Sequence, residues 1–571
     1  MKILKKTINA LRRVNLFSLL PTVLFMLAPL AVNNIAVAQS EQTKIIASIT
    51  IPSQTSVWNA AERLASEMKY LEIVRGARDL VKTQFPAIAS IDSDKNIGIV
   101  VATNGDEVFP FVYLPVAADS NLDEAAISEL KTKIQDKVSF EEIEVIAKDS
   151  TLFISASKFK DLIPTNSYGI ASENDDKNAL ILDVDVNVEA VPQEFIEAGL
   201  AVLRQKIGEG ASNEAALSAS NLNLLLKYYS SVIDSLTGFK AQFLVDEQSN
   251  CVVDISVVFK PDSDIVKQLR ESNNVQTRWS SFADAPNAVF TSVSAGKQLE
   301  GAKEYQLDQF TNVAYNNLLK QLEVLIDDAD DFELAKRLIE LFKSEEEADI
   351  EAGIYDSGIV VQADPLLVKI GTSIFNPEAV KEAIKLVVDR IKKDVTDLDS
   401  YISLDSEEIV GFSVSKIDIP VDAVAKDAVD YFKGKTIAAR IGIDDKSMAF
   451  IVGLNSDEVN SEFARMIRGA QELKSTRQKE VVDFAPLAKI VDEIASSFNE
   501  LQPAAKQSLE RIAEAQDVKI VSEQEIVDNQ VNLKYVLQSG IFKTAGDVIR
   551  VNLRGGGEDD SEDMDDIFDE E

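Results

Sequence analysis

The chain has 571 residues, with 95 acidic and 58 basic side chains, one cysteine and no histidine, and its formal net charge is −37. The lack of histidine excludes Ser-His-Asp and Cys-His catalytic sites and histidine-containing zinc or iron sites, because each needs an imidazole. A single cysteine excludes an intramolecular disulfide and a CxxC redox pair. So acidic a surface repels phosphates, and we therefore expect no nucleic-acid partner.

The first 38 residues have the three-part layout of a secretory signal peptide. Five basic residues within the first 13 precede an apolar run over 16–32, and the small residues Ala36 and Ala38 then flank Val37. Signal peptidase accepts such a site, so we expect cleavage before Gln39 and export to the periplasm or the extracellular space. The alternative is an uncleaved membrane anchor. No later apolar run is long enough to span a bilayer, so we expect no transmembrane span after removal of the signal.

In the first half, pairs of alternating apolar strands around a polar turn are followed by amphipathic helices. Asn104-Gly105 marks one turn, because Asn-Gly supplies the positive φ values that tight hairpins require. The predicted elements, in chain order, are a strand at 44–51, helical stretches over 57–83, a hairpin at 97–116, a helix at 122–134, a hairpin at 142–157, a strand at 179–188, helices at 192–207 and 222–236, a hairpin at 239–259 and a short helix at 265–269.

The second half repeats this order of elements. The predicted elements are a strand at 288–292, one long helix at 298–325, a hairpin at 349–363 that turns at 356–358, a helix at 377–395, a hairpin at 436–453, helices at 456–473 and 482–498, a hairpin at 518–537 and a trailing segment at 542–551. Hairpins followed by helices are typical of antiparallel sheets with helices packed on one face. The sequence therefore predicts an α+β fold.

The repeated order predicts two tandem domains of one α+β unit. We expect a signal peptide at 1–38, a first domain at 39–283, a second at 284–554 and a disordered acidic tail at 555–571, where like charges repel and apolar side chains are few. The tail is a candidate for weak binding of divalent cations or of a basic partner. The alternative, that it only increases solubility and binds nothing, stays open.

The motif matches do not predict a catalytic, cofactor or metal site. Ser294-x-x-Lys297 and Ser155-x-x-Lys158 match the S-x-x-K pattern of penicillin-binding enzymes, but no S-D-N or K-T-G motif accompanies them. Asp183-x-Asp185-x-Asn187 begins like a calcium loop, but the required glycine is missing and the apolar alternation favours a strand. The acidic cluster at 327–331 is interpreted as a helix cap, with cation binding as the alternative. Cys251, Trp58 and Trp279 are interpreted as core residues.

Hydrophobic blocks in the first half carry a resemblance to a known group of proteins. These blocks are the segment 108–116 (VFPFVYLPV), the segment 152–155, the strand from Leu180 to Pro192 and the hairpin from Phe239. Together they resemble uncharacterised secreted proteins of planctomycete-type bacteria and are similar to a bacterial family of unknown function with a repeated α+β unit. The resemblance covers most of 46–295 and implies neither an activity nor any catalytic residue.

These observations predict an exported, non-enzymatic protein with a binding or structural role in the cell envelope or periplasm. No cofactor is expected, and the expected partner is an envelope protein or an apolar ligand. A first alternative is a carrier of lipid or another apolar ligand, because long hairpins wrapped on amphipathic helices can enclose an apolar groove. A second is a carboxylate-based hydrolase, for which the many Asp and Glu residues provide candidates but no selected pair.

Overall fold

The computed structural model describes most of the chain and is a mixed α+β structure with a large antiparallel sheet. Within the described residues, 18 strands are assigned to one sheet, 14 α-helices are present, and each ladder with a defined register is antiparallel. The predicted α+β class is therefore confirmed. Two tandem domains are not confirmed, because the strands do not divide into two sheets. The described residues are 43–84, 91–105, 107–117, 127–128, 131–132, 135, 142–148, 150–163, 178–210, 219–308, 315–326, 328–394, 400–424, 432–474, 478–498 and 503–555.

The elements before residue 260 include eight strands and four helices among the described residues. The strands are β1 (Lys44–Ile51), β2 (Ile97–Thr103), β3 (Val108–Pro115), β4 (Ile143–Lys148), β5 (Thr151–Ala156), β6 (Ala179–Asn187), β7 (Leu236–Val245) and β8 (Cys251–Phe259). The helices are α1 (Gln54–Met68), α2 (Leu71–Gln84), α3 (Gln193–Gly210) and α4 (Ala219–Ser235).

The described elements after residue 260 comprise ten strands and ten helices. The strands are β9 (Ala288–Lys297), β10 (Ile354–Ala363), β11 (Leu366–Ser373), β12 (Ile402–Ile409), β13 (Phe412–Pro420), β14 (Thr436–Ile443), β15 (Ser447–Gly453), β16 (Gln478–Asp483), β17 (Lys519–Val527) and β18 (Gln530–Leu537). The helices are α5 (Asp264–Asn273), α6 (Glu300–Asp308), α7 (Tyr315–Leu325), α8 (Ala329–Ala352), α9 (Pro377–Asp394), α10 (Val421–Val424), α11 (Ser456–Gly469), α12 (Phe484–Phe498), α13 (Pro503–Glu514) and α14 (Ser539–Gly555).

Contacts divide the chain into two compact units. Unit 1 comprises Met1–Ala61, Arg75–Leu244 and Ile255–Lys260, and unit 2 comprises Glu62–Val74, Val245–Asp254 and Pro261–Glu571. In unit 1, β1 pairs with β2 on one side and with β6 on the other, and β3, β5 and β4 follow β2 in that order. In unit 2, β9 pairs with β10 and β16, and β11, β15 and β14 follow β10.

The same order of pairing therefore occurs twice. β9, β10, β11, β15, β14 and β16 take the places of β1, β2, β3, β5, β4 and β6. Unit 2 adds the hairpin β12–β13, which pairs with β14 through β13. The recurrence means that each strand of one set has a counterpart in the other, and equivalent faces can be compared.

Each set of strands buries one face under large apolar side chains. In unit 1, the β3 residues Phe109 and Phe111 are buried with Phe153 of β5, and Phe159 stacks on Phe109 with ring centroids 5.2 Å apart. In unit 2, Trp279 lies in a cluster with Phe282, Val293 and Val360, among other buried residues. The period-2 alternation of the strands places the strand residues among them on one side of the sheet, and Phe159, Trp279 and Phe282 pack onto that side from outside the strands.

The predicted hairpin at 349–363 is wrong. Helix α8 occupies the start of this segment and ends at Ala352. Gly353 follows it with a φ of +61°. The next residues form the single strand β10, in which Gly358 is an interior residue and not a turn. A Cβ at Gly358 would lie 2.8 Å from the Trp279 Cβ and 2.7 Å from the Phe282 ring. The glycine therefore makes room for a packed aromatic side chain.

Two predicted helical regions are present among the described residues. The helical stretches predicted over 57–83 are α1 and α2, which are separated where Lys69 has a φ of +61°. The single helix predicted at 298–325 contains α6 and α7, and residues 309–314 between them lie outside the described residues. The predicted helix at 122–134 also lies mostly outside them. Among the described residues, no helix is long and apolar enough to cross a membrane.

Candidate functional site

The residues predicted for signal processing lie outside the described part of the chain. Ala36, Ala38 and Gln39 precede Thr43, where the described residues begin. The acidic tail also lies outside them. Export and the role of the tail therefore stay predictions.

The two S-x-x-K matches do not form a serine–lysine site. Ser294 and Lys297 both lie in β9, where residues three apart point to opposite faces of the sheet. The Lys297 ammonium pairs with the Glu271 carboxylate at 2.9 Å. Ser155 lies in β5 and donates to a backbone carbonyl of β3 at 2.8 Å, while the Lys158 ammonium lies 4.7 Å from the centroid of an aromatic ring. In neither match, therefore, do the serine and the lysine lie together on one helix.

The Asp-x-Asp-x-Asn match lies in a strand, as its alternation predicts. Asp183, Asp185 and Asn187 are all residues of β6. The Asp183 carboxylate accepts a hydrogen bond from the Gln242 amide at 3.3 Å, and the Asp185 carboxylate pairs with the Lys240 ammonium at 3.1 Å. These contacts link β6 to β7 and account for both carboxylates without a cation.

The acidic cluster at 327–331 caps a helix. The Asp328 carboxylate accepts hydrogen bonds from the backbone N–H groups of Asp330 and Asp331 at 2.9 and 3.0 Å, where α8 begins. Arg390 of α9 pairs with Asp331 at 2.7 Å and lowers the pKa of its carboxyl, chiefly through a hydrogen bond. The capping interpretation is confirmed for these residues. Asp327 lies outside the described residues.

Helix α8 carries a second group of carboxyls near its C-terminal end, and sequence reasoning missed it. Burial raises the pKa of Glu346, and the neighbouring Glu345 raises it further. Burial also raises the pKa of Asp349 to about 7, with smaller contributions from Glu346 and Glu345. The pKa of Tyr315 on α7 is raised by burial and then by Glu346 and Glu347. Such shifts are common at functional sites but also arise in packed helix interfaces.

The carboxyl of Glu345 has a structural task in this group. It accepts hydrogen bonds from the backbone N–H groups of Phe375 and Asn376 at 2.8 and 2.6 Å, just before α9 begins. The side-chain amide of Asn376 also donates to the Ser344 hydroxyl at 2.8 Å. Negative charge near a helix N-terminus is favourable. The Glu345 carboxylate therefore fixes α8 to the start of α9. We therefore interpret this group as part of the helix packing.

A polar network next to Trp279 is satisfied by protein groups. The buried Asp356 carboxylate accepts from the Thr277 hydroxyl at 2.5 Å and from the Arg278 backbone N–H at 3.0 Å. The Arg278 guanidinium pairs with Asp444 at 2.6 Å and donates to Ser447 at 2.9 Å. Burial raises the pKa of Asp356 despite these partners. The network fixes the backbone that leads into Trp279, which is a structural role.

Cys251 and the tryptophans show no arrangement for chemistry. Cys251 is half-buried at the start of β8, and burial raises the pKa of its thiol, which disfavours the nucleophilic thiolate. Trp279 is fully buried, as expected for a core residue, and Trp58 is half-buried in α1. In the described part of the chain, no group of three or more Asp, Glu or Cys side chains is placed to hold a metal ion.

The unusual surface of unit 1 is apolar. Ile49 and Ile51 of β1 lie opposite Ile99 and Ile97 of β2, and Ile99 lies opposite Val112 of β3. Residues directly opposite each other in an antiparallel ladder share a face. We call this surface the open apolar face, and it consists of Ile49, Ile51, Ile97, Ile99 and Val112. Ile154 of β5, which lies opposite Val112, packs instead against a buried cluster formed by Val116, Ile143, Val145 and Leu152.

Exposure of the open apolar face is greatest on β1 and β2. Ile49, Ile51 and Ile99 are 43%, 38% and 47% exposed, whereas Ile97 and Val112 are half-buried. The other face of the same strands is the buried phenylalanine core. Single exposed apolar residues are ordinary, but adjacent ones on a sheet mark interaction surfaces. The sequence did contain a signal, because β1 and β2 carry apolar residues at both odd and even positions.

The comparisons with known proteins give no relative for this chain. No family model, curated protein or solved structure matches it.

Proposed function

We propose that this is an exported, non-enzymatic binding protein of the cell envelope or periplasm that binds its partner through the open apolar face. The observation that carries the proposal is the adjacency of Ile49, Ile51 and Ile99 on one uncovered sheet surface. Covering these side chains removes apolar area from water, which contributes roughly 25 cal/mol per Å². Binding is therefore the use of this surface that physical chemistry favours.

Transport of lipid or another apolar ligand is the second candidate function. The open apolar face supports it, because its five residues are aliphatic and none carries a charge or a hydrogen-bonding side chain. A carrier would use the same residues as a protein-binding surface does. The two functions differ in what covers the face, and that difference can be measured.

The recurrence of strand pairing supports a further proposal, that the chain arose by tandem duplication of one α+β unit. Six strands of each set are connected in the same order. The resemblance to secreted proteins with a repeated α+β unit agrees with both the duplication and the export. The signal-like segment at 1–38 is the main support for export.

The proposed function is tested by comparing two double variants of the mature chain. Ile49→Thr with Ile99→Thr keeps β-branched side chains in the strands but removes apolar surface from the open apolar face. The control is Val387→Thr with Ile391→Thr on α9, whose residues are 41% and 42% exposed and so match Ile49 and Ile99. Each chain is titrated with an apolar fluorescent dye, and circular dichroism checks that it is folded.

We expect the face variant to bind the dye about five-fold more weakly than the wild type, from the lost apolar area. The control variant should retain most of the wild-type binding. Equal dye binding by the wild type and the face variant would contradict the proposed function.

A further inference from the structure

We infer that the outer edge of β4 is a site of self-association, at which the β4 strands of two copies of this chain pair antiparallel about a two-fold axis. β4 follows β3 and β5 in the order of pairing, so its outer edge is separate from the open apolar face. The direction of its backbone groups, the pairing of its counterpart in unit 2 and the order of its side chains support this assignment.

β4 is an edge strand among the described residues. It pairs with β5 over six residue pairs without a shift of register, and no described strand pairs with its other side. The backbone N–H of Ile143 donates to the side-chain oxygen of Gln135 at 2.9 Å and so points away from β5. Because backbone direction alternates along a strand, the N–H and C=O groups of Val145 and Ala147 also point to the outer edge.

The equivalent edge in unit 2 is occupied by the chain itself. β14 takes the place of β4, and its edge away from β15 pairs with β13 over eight residue pairs. In unit 1, the described residues between β3 and β4 include helical positions at 127–128, 131–132 and 135 but no strand. An added antiparallel strand is therefore the occupant that this fold places at such an edge, and in unit 1 it has to come from another chain.

A second β4 supplies that strand with matching backbone and apolar groups. In one antiparallel register, Val145 lies opposite Ala147 of the second copy, and their outward N–H and C=O groups exchange hydrogen bonds. The same pair occurs again on the other side of the axis. Ile146 then lies opposite Ile146 of the second copy, which extends the apolar row that Ile146 forms with Phe153 of β5.

Charge favours the same register. It places Glu144 opposite Lys148 of the second copy, twice about the axis, and side chains of unlike charge directly opposite each other stabilise an antiparallel pair. The neighbouring registers place Glu144 or Lys148 opposite Ile146 and lose both ion pairs. The Glu144 carboxylate also binds the Lys131 ammonium through Oε2 at 2.8 Å, and a carboxylate has acceptor sites for a second donor. An edge lysine normally discourages strand pairing, but here a carboxylate lies opposite it.

Strand β12, another edge strand among the described residues, has features that oppose such pairing. Its register with β13 shifts between Ser403 and Glu407, and Glu407 and Glu408 make its sequence acidic. Bulges and charges on an edge strand hinder the addition of another strand. β4 has an unbroken register and balanced charges, so of these two edges it is the one suited to pair with its own copy.

The experiment measures self-association of the mature chain by sedimentation velocity, at concentrations up to about 200 µM because small interfaces are transient. Lys148→Glu places like charges opposite each other across the axis. Glu144→Lys combined with Lys148→Glu exchanges the two charges and restores the unlike pairs. Ala147→Pro removes an outward N–H donor, a change that edge strands tolerate. The control is Glu408→Pro on β12, and circular dichroism checks that each variant is folded.

We expect the wild type to form a dimer whose population rises with concentration. Lys148→Glu should weaken dimerisation about ten-fold, and the charge exchange should restore most of it. Ala147→Pro should also weaken the dimer, whereas Glu408→Pro should behave like the wild type. A wild type that stays monomeric, a dimer that Lys148→Glu leaves unchanged, or a defect that the charge exchange does not rescue would each overturn the inference. The dye titration of the open apolar face is independent of these outcomes.

Discussion

Glycines in the strands of unit 2 shape the core by leaving space for aromatic rings. A Cβ at Gly371 of β11 would clash directly with the Trp279 indole, and one at Gly358 of β10 would approach Trp279 and Phe282. Neither position requires a left-handed backbone. Gly358 was predicted to be a turn residue, because glycine in sequence signals turns more often than packing. The position of the indole depends on the tertiary structure and could not be read from the local sequence.

This packing predicts that Gly371→Ala is destabilising. The added methyl group meets a fully buried ring that is held by the surrounding core, and such overpacking costs about 1–3 kcal/mol. We expect the free energy of unfolding to fall by about 2 kcal/mol in denaturant titrations. Gly76→Ala in helix α2 is the matched control, because no atom lies within 4 Å of its added Cβ. The free energy of unfolding of Gly76→Ala should rise by up to about 1 kcal/mol. Equal effects of the two substitutions on stability would contradict the packing argument.

At the scale of elements, the sequence predicts hairpins well where alternation and turn residues agree. The hairpin β2–β3 has strict alternation in β3, and its Asn104-Gly105 turn is present, with a Gly105 φ of +97°. The hairpin β12–β13 was missed. Its first strand is largely polar, and its register shifts between Ser403 and Glu407, which breaks the period of two.

The candidate site was missed for a related reason. Motif searches examine polar residues, whereas the open apolar face consists of aliphatic residues whose exposure depends on which elements cover the sheet. The strands β1 and β2 were expected from sequence in nearly the observed bounds. Nothing local to Ile49 or Ile99 tells which of the two faces of these strands is covered, because that is decided by helices distant in sequence.

Helix α8 should give the protein a measurable pH dependence of stability. The pKa of Asp349 is raised in the folded state from 3.8 to about 7, chiefly by burial. The folded state therefore binds the proton more tightly than the unfolded state between these pH values. By linkage, this carboxyl makes the free energy of unfolding fall as pH rises through that window. Above the window, its contribution to the free energy of unfolding no longer changes with pH. Glu346, whose pKa is also raised, acts in the same direction.

The substitution Asp349→Asn removes this titration. We expect the variant to melt about 2 °C above the wild type at pH 8, where the wild-type carboxyl is charged, and to differ less at pH 5. Thermal unfolding followed by circular dichroism at the two pH values measures the difference. Glu351→Gln, an exposed carboxylate on the same helix, serves as the control and should show no such change with pH. A melting difference for Asp349→Asn that is the same at both pH values would disprove the assignment.

At the scale of the whole molecule, repetition with one difference is the informative feature. The two sets of strands share their pairing order but differ in exposure. Ile49, Ile51 and Ile99 of β1 and β2 are exposed, whereas in β9 and β10 only Ile354 is exposed. An apolar surface is costly in water, and a monomeric scaffold gains nothing from keeping it. The proposed binding role is consistent with this difference in exposure.

That role requires the chain to reach its partner, and the predicted signal at 1–38 determines the compartment. We expect the exported protein to begin at Gln39, because the small residues Ala36 and Ala38 suit signal peptidase. N-terminal sequencing of protein from the periplasmic and culture fractions measures the start. Ala38→Arg should block cleavage and leave the precursor in the membrane fraction. Val37→Leu, at the unrestricted middle position, should be processed normally. Wild-type protein that keeps residues 1–38 in the membrane would instead identify the segment as an anchor, and partners would then be sought at the membrane surface.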